Sequence, residues 1–266
     1  MSSKERKVGE EIRSPKNPWI QSLIRLHRVS ERREQQRFLL EGSNLVLAAI
    51  EFGWPLDCVL TTRKWSEENG RQLHWLTSGK LSVRLVSEQV LKAVSATQTP
   101  EGVIAVAVMD EQPNELTLPS LGLALDEVQV PGNVGTLIRA AAATSADGVY
   151  LGQGSVDPFN DKLLRSTAGL WFSNRPYQVD LPAWIDRCQN SGIQVLGASA
   201  DGQPFWEIDL AQPTLFVLGN EGSGLSSGIR SQISRYVSVP MNTKVESLNV
   251  AMAGTLLLYE AMRQRR

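Results

Sequence analysis

Cysteine is scarce in this chain, whose 266 residues include only Cys58 and Cys188. Two cysteines so far apart have neither the spacing of a metal site nor that of a disulfide framework, so we expect a reducing compartment and no metal. A run of about 18 apolar residues, the minimum for a membrane span, is also lacking. The opening residues, Met-Ser-Ser-Lys-Glu-Arg-Lys, contain no apolar signal-peptide core. These absences predict a cytoplasmic protein that does not enter a membrane.

Net charge is nearly absent as well, at −1, but the two signs are unevenly distributed. Residues 1–40 contain ten lysines and arginines against five glutamates, which leaves +5 there and −6 on the remainder. A basic amino-terminal lobe on a nearly neutral chain favours a polyanionic partner that is held through its phosphates. The alternative is a solvated helix face that follows a polar tail.

Composition and patterning predict two α/β regions. Residues 1–13 are polar without periodicity, which predicts a disordered tail, and residues 14–110 alternate between helical and strand patterns. A polar, proline-bearing stretch predicts a linker at 111–119. Residues 120–266 form the larger domain, in which strands such as Thr214–Leu218 are apolar throughout. Such strands indicate a mostly parallel sheet with helices on both faces.

The predicted elements alternate along the chain in both regions. The smaller region has strands near 37–41, 58–61 and 103–108 and helices over 19–36, 43–52 and 87–95. The larger region has strands at 121–126, 148–151, 193–198, 214–218 and 236–240, with helices near 134–145, 159–170, 182–190, 225–233 and 247–264.

Two of the strand-to-helix loops in the larger region carry polar side chains in apolar surroundings. In the first, Pro131-Gly132 turns the chain out of a strand, Asn133 stands where an N-cap is expected, and Arg139 interrupts a helix of small and apolar residues. That arginine faces either a pocket or a structural ion pair. In the second, the glycine-rich turn Gly219–Gly224 follows a buried strand and places Glu221 beside a close backbone approach.

A third loop joins a short strand ending at Pro240 to a long apolar helix. Glu246, Ser247 and Asn249 stand at the mouth of that helix, with Ser247 as the expected N-cap. Each loop alone is compatible with a structural turn. Because the carboxyl ends of parallel strands meet at one sheet edge, where ligands bind, the three loops together predict a single shared site.

Taken in order, these segments resemble the three motifs of the SpoU (TrmH-like) branch of the SPOUT RNA methyltransferases. The matching residues are Pro131-Gly-Asn133-Val-Gly135 with Arg139, Leu218-Gly-Asn-Glu221-Gly with Gly224-Leu-Ser226, and Val239-Pro-Met241 with Glu246-Ser247-Leu248-Asn249-Val250-Ala251. The resemblance covers residues 121–264, and residues 14–110 are similar to the substrate-binding domain often attached in that family. One position departs from the pattern, since Val130 stands where the family usually has aspartate.

The resemblance implies that a homodimer transfers a methyl group from S-adenosylmethionine to a ribose 2′-hydroxyl of RNA, through a SPOUT domain that ends in a trefoil knot. It implies cofactor contacts at five positions: Leu218, Gly219, Val239, Met241 and Leu248. It implies catalytic roles at five others: Asn133, Arg139, Glu221, Ser247 and Asn249. Because arginine stays protonated at neutral pH, we expect Arg139 to clamp a phosphate and stabilise charge on the 2′-oxygen rather than accept a proton.

Several functions stay open at this point. The additional lobe favours ribosomal RNA as the substrate, with transfer RNA as the alternative. Val130 suggests a second alternative, an RNA-binding homologue without catalytic activity. A nucleotide-phosphate enzyme built on Gly219–Gly224 is disfavoured, because the Gly-Lys-Ser/Thr ending of a phosphate-binding loop is missing.

Overall fold

The computed structural model describes residues 10–78, 81–110, 112–113, 115–242 and 244–266. The chain divides into two compact units, Met1–Glu111 and Gln112–Arg266. Within the described ranges, every helix is too short or too polar to cross a bilayer.

The first unit is a small α/β fold around a four-stranded sheet. Its elements are α1 (Pro18–Arg25), α2 (Val29–Gln35), β1 (Arg37–Glu41), α3 (Ser43–Glu51), β2 (Leu56–Thr61), α4 (Arg63–Glu68), α5 (Gly70–Ser78), β3 (Ser82–Leu85), α6 (Glu88–Val94) and β4 (Val103–Val108). The strand order is β1-β4-β2-β3. β4 runs antiparallel to both of its neighbours, whereas β2 and β3 are parallel.

The single helix predicted over 19–36 is wrong, because the chain forms two helices there. Arg32 caps the end of α1 at this break. The residue is 2% exposed, and its guanidinium donates hydrogen bonds to the carbonyls of Leu26 (3.0 Å) and His27 (3.1 Å). The guanidinium therefore satisfies carbonyls that a continuous helix would have bonded internally.

Two further expectations for this unit need correction. The disordered tail is wrong at Ile12, whose amide donates to Leu85 and whose carbonyl accepts from Ser87, both at 3.0 Å. Residues 1–9 lie outside the described residues. The helices and strand over 63–85 were not predicted, because this stretch is mostly polar and buries few side chains, among them Trp65 and Leu76.

The second unit confirms the predicted α/β fold. Its elements are β5 (Leu121–Leu125), α7 (Pro131–Ala143), β6 (Gly148–Leu151), α8 (Asp161–Ser166), β7 (Tyr177–Gln178), α9 (Leu181–Asn190), β8 (Gln194–Pro204), a 3₁₀ turn (Phe205–Glu207), β9 (Thr214–Leu218), α10 (Ser227–Gln232), β10 (Tyr236–Ser238) and α11 (Val250–Gln264). The strand order is β10-β8-β9-β5-β6-β7, and every pair is parallel.

Alternate residues of β9 show how helices cover both faces of this sheet. Leu215 and Val217 belong to a core cluster with residues of α9 and α10. Leu218 points the other way, and its Cδ1 lies 2.6 Å from where a Cβ on Gly254 of α11 would stand. Only glycine fits that position without a shift, so α11 packs directly against the carboxyl end of β9.

Two helix starts differ from the prediction. α7 begins at Pro131, which places Asn133 inside the first turn rather than at the N-cap, because proline is well suited to the first helical position. α11 begins at Val250, and its cap is Asn249 rather than Ser247. The Oδ1 of Asn249 accepts from the amides of Ala251 (2.9 Å) and Met252 (3.3 Å).

Candidate functional site

The first two of the three polar loops leave the sheet at the same edge. β5 and β9 pair in parallel with Leu125 opposite Leu218, so the loops that follow them emerge side by side. Polar contacts then join the segment 126–133 to the segment 220–226, as described below. The expectation that polar residues from separate loops meet at one edge agrees with this geometry.

A cavity of about 370 Å³ lies at this edge of the second unit. Its lining residues fall within 198–200, 218–224, 237–241 and 246–257, together with Arg230. All five residues expected to contact the cofactor line it: Leu218, Gly219, Val239, Met241 and Leu248. Pockets for small ligands typically start at about 300 Å³, so the size suits a ligand of nucleoside dimensions.

Gly219 allows the backbone to close tightly at the base of the cavity. A Cβ at this position would lie 2.2 Å from the carbonyl carbon of Gly224 and 2.3 Å from the amide nitrogen of Leu225. No side chain can be accommodated against backbone at those distances. Only glycine at 219 therefore lets the two sides of the turn close on each other.

Three of the expected catalytic residues form one hydrogen-bonded chain. Asn249 Nδ2 donates to Asn133 Oδ1 at 3.0 Å, and Asn133 Nδ2 donates to Glu221 Oε1 at 2.9 Å. The other end of the chain is fixed, because Asn249 Oδ1 accepts from the first turn of α11. The three loops are thus connected through side chains that each come from a different loop.

Glu221 is held as a carboxylate. Burial opposes its ionisation, but this effect is outweighed by hydrogen bonds from the Asn133 amide and from backbone N–H groups, including those of Val130 (3.2 Å) and Gln129 (3.4 Å). The pKa of Glu221 consequently lies below its ordinary value of 4.5. Both carboxylate oxygens accept hydrogen bonds, so this side chain anchors the start of α7.

The remaining two expected catalytic residues stand apart from this chain. Arg139 is exposed on α7 and does not line the cavity. Within the described part of the chain, no side chain or backbone group bonds to its guanidinium. The structural ion pair considered for Arg139 is therefore not formed there. Ser247 is exposed and lines the cavity rim.

Sequence reasoning missed three contributors to the site. Asp126, at the end of β5, is 5% exposed, and its Oδ2 accepts from the Ser226 amide at 2.7 Å. Asn220 shapes the glycine-rich turn. Ala198–Ala200 forms a wall of the cavity. A polar residue at the end of a buried strand was the available signal for Asp126, whereas nothing in the local pattern marked 198–200.

The cavity lining fits a cationic cofactor with an apolar body. Leu218, Val239, Leu248 and Leu257 supply apolar surface, while other lining residues supply polar groups: Asn220, Glu221, Arg230 and Glu246. In the portions that the structure describes, no three His, Cys, Asp or Glu side chains gather as a metal site would require.

The second unit is thus a parallel α/β domain with a ligand cavity lined by the second and third polar loops and by part of β8. The first loop does not line the cavity but is hydrogen-bonded to the other two through Asn133. Residues 120–259 match the model of the SpoU rRNA methylase family. Residues 17–105 match a second model, the MRM3-like substrate-binding domain. The chain belongs to the SpoU rRNA methylase family.

Several relatives resemble the chain over nearly its full length. An uncharacterised tRNA/rRNA methyltransferase of Synechocystis is 36% identical, covering 96% of this chain and 94% of the relative. The 23S rRNA (guanosine(2553)-2′-O)-methyltransferase RlmP of Bacillus subtilis is 35% identical, covering 94% and 98%. The crystal structure of the SpoU methyltransferase AviRb of Streptomyces viridochromogenes with AdoMet superposes with a TM-score of 0.81 at 29% identity, covering 94% and 98%.

Proposed function

We propose that this protein transfers a methyl group from S-adenosylmethionine to a ribose 2′-hydroxyl of RNA, and that the substrate is ribosomal RNA. The observation that carries the proposal is the cavity at the carboxyl edge of the sheet, which is lined by all five expected cofactor contacts. The similarity to RlmP, a 23S rRNA 2′-O-methyltransferase, and to AviRb with bound AdoMet supports both the cofactor and the RNA.

Leu218, Gly219, Val239, Met241 and Leu248 would hold the cofactor. When bound, S-adenosylmethionine supplies an electrophilic methyl group on a positively charged sulfur. The protein's task is then to position the ribose and to exclude water. Glu221 and Glu246 place two carboxylates at the cavity against the one guanidinium of Arg230, and this negative balance favours a cationic ligand over an anionic one.

Five polar residues would organise the transfer. Asn133 and Asn249 link the first turns of α7 and α11, and Glu221 anchors both to the glycine-rich turn. Ser247 stands at the cavity rim, where an incoming ribose would arrive. The exposed guanidinium of Arg139 would clamp an RNA phosphate and stabilise negative charge on the 2′-oxygen, for which its planar set of donors is suited.

We also propose that the protein acts as a homodimer. Met252, Leu256 and Tyr259 form an apolar face of α11, and each is more than 40% exposed. Residues at this spacing lie on one side of a helix, and so much apolar surface usually marks an interface. The partner we assign to it is a second copy of this chain.

Changing Leu256 to glutamate tests the dimer, because a charge on that face must be desolvated on association. We expect sedimentation equilibrium to show a dimer for the wild type and a monomer for Leu256→Glu. Ser227→Glu, an exposed change on α10, should leave the mass unchanged. A wild-type monomer at the concentrations used for catalysis would contradict the proposal.

RNA binding is assigned to the first unit, with its match to a substrate-binding domain as support.

The trefoil knot also remains a proposal, and an experimental trace of residues 190–266 would test it. We place the protein in the cytoplasm. The support is that Cys58 and Cys188 are free thiols, which fits a reducing compartment.

The test of the proposed function is transfer of tritiated methyl from S-adenosylmethionine to unmodified RNA transcripts. We expect label in 23S ribosomal RNA and none in a transfer RNA pool at equal nucleotide concentration. Label in transfer RNA alone would mean that transfer RNA is the substrate and that the methyl-transfer chemistry is as proposed. Absence of label in both, with RNA binding retained, would identify a binding protein without catalytic activity.

A further inference from the structure

The glycine-rich turn has almost no apolar packing of its own. Of residues 219–224, three are exposed and the other three are only half-buried, and none carries an apolar side chain. Hydrogen bonds must therefore set the shape of this wall of the cavity, because the turn has no apolar side chain whose burial could stabilise it.

Asn220 supplies bonds in two directions. Its Oδ1 accepts from the amides of Gly222 (2.9 Å) and Ser223 (3.2 Å), which closes the turn from inside. Its Nδ2 donates to the carbonyl of Glu127 at 2.9 Å, in the loop that follows β5. The backbone of Asn220 also pairs with Gly224 in both directions. One side chain thus shapes the turn and attaches it to the neighbouring loop.

The loop after β5, which accepts the hydrogen bond from Asn220, is itself held in a defined conformation. Glu127 has φ of +55°, a left-handed conformation that a residue with a side chain adopts at a cost and keeps only when its surroundings hold it. The residue before it, Asp126, accepts from the Ser226 amide at 2.7 Å through a carboxylate that is almost fully buried. The two loops are therefore fastened at both ends of the turn.

We propose that Asn220 and Asp126 are positioning residues for methyl transfer. They hold the glycine-rich turn against the loop after β5, so that main-chain groups of the turn face the cofactor while Glu221 reaches the start of α7. The inference rests on the proposed function. It adds two residues that act through the turn rather than on the reacting atoms.

The test replaces Asn220 with aspartate, which has the same shape. The acceptor oxygen that closes the turn is kept, but the donor to Glu127 becomes a second oxygen facing a carbonyl. We expect the Kd for S-adenosylhomocysteine to rise about tenfold in isothermal titration, the scale of one missing hydrogen bond with added repulsion. The KM for S-adenosylmethionine should rise in parallel, with kcat at saturating cofactor within a few-fold of wild type.

Asn160→Asp is the matched control. Asn160 caps α8 with its Oδ1, which accepts from Lys162 and Leu163, and aspartate caps a helix as well as asparagine. This variant should keep wild-type Kd and KM. A role of Asn220 in overall stability alone would lower the active fraction, and hence kcat, without moving KM.

Asp126→Asn and Asp126→Ala test the second contact between the two loops, which joins Asp126 to the Ser226 amide. Asparagine retains an oxygen for the Ser226 amide, so we expect it to bind cofactor more tightly than alanine does, in samples confirmed folded by circular dichroism. Wild-type binding by Asn220→Asp would overturn the assignment of Asn220 alone. A wild-type protein that binds no S-adenosylhomocysteine would overturn the proposed function and this inference with it.

Discussion

The loops of the second unit and the basic helices of the first unit use their polar residues in different ways. Beside the cavity, which only Glu221 of the three lines, Asn133, Glu221 and Asn249 bond to one another across three loops. In the basic helices two arginines bond to groups close by in the sequence: Arg32 caps the end of α1, and Arg25 pairs with Glu31 at 3.1 Å. Polar residues in spaced motifs therefore indicated a site, whereas a count of charges did not distinguish a structural arginine such as Arg32 from the exposed ones.

The largest effect is expected at Arg139, whose exposed guanidinium stands apart from the hydrogen-bonded chain of Asn133, Glu221 and Asn249. Arg139→Lys keeps the charge but has no planar set of donors, so we expect kcat to fall by about 100-fold or more while S-adenosylhomocysteine still binds. Single-turnover methyl transfer and isothermal titration measure the two quantities.

Arg187→Lys serves as the control for this substitution, because Arg187 pairs with Glu115 at an exposed site away from the cavity. Near-normal turnover by Arg139→Lys would remove Arg139 from the proposed mechanism. It would also weaken the contrast between the hydrogen-bonded residues of the three loops and the exposed Arg139.

The second prediction divides the basic helices into two groups. Arg28 and Arg33 are exposed, whereas Arg32 is 2% exposed and bonded to the end of α1. The double change Arg28→Ala and Arg33→Ala should weaken RNA binding. It should also reduce the slope of log Kd against log salt by about 0.7 to 0.9 for each RNA phosphate that the variant no longer neutralises. Filter binding across a salt series measures both.

Arg32→Ala should show the opposite profile. Without the two buried hydrogen bonds to the carbonyls of Leu26 and His27, the free energy of unfolding should fall by about 1–3 kcal/mol, measured in urea, with little change in the salt slope. Equal salt slopes for the two variants would mean that the first unit does not use its exposed arginines for RNA and its buried Arg32 for stability.

The smallest effect concerns the pH dependence contributed by Glu221. Its pKa in the folded protein is lowered, so its contribution to stability is present above the unfolded value of 4.5 and is lost as pH falls through the lower folded value. The difference in unfolding free energy between wild type and Glu221→Gln should therefore shrink below pH 4.5. A difference that grows there would show that the carboxylate is not held ionised.

Much of the second unit could be predicted because its strands are apolar throughout and its loops carry distinctive residues. Thr214–Leu218 is a strand as expected, and the parallel sheet is confirmed. The helix cap at Asn249 was missed because Ser247 is an equally suitable capping residue by type, and no local pattern reports that Asn249 also bonds to Asn133.

Other parts of the site depend on contacts that no local pattern reports. Tyr236 pairs with Gly197 but Val237 pairs with Gln203, so the intervening residues of β8 leave the ladder, and Ala198–Ala200 reaches the cavity wall. Arg32 caps carbonyls that exist as unpaired groups only because the helix breaks. In the first case a distant strand decides the local conformation, and in the second a side chain five to six residues further along the chain does.

The most direct test of the account is the chemical identity of the product. Unmodified 23S ribosomal RNA would be incubated with the full chain and S-adenosylmethionine, digested to nucleosides and analysed by mass spectrometry, with Arg139→Lys run in parallel. The account predicts one 2′-O-methylated nucleoside in the wild-type reaction and at most a trace of it with the variant. A methyl group found on a base, or equal product from both proteins, would contradict it.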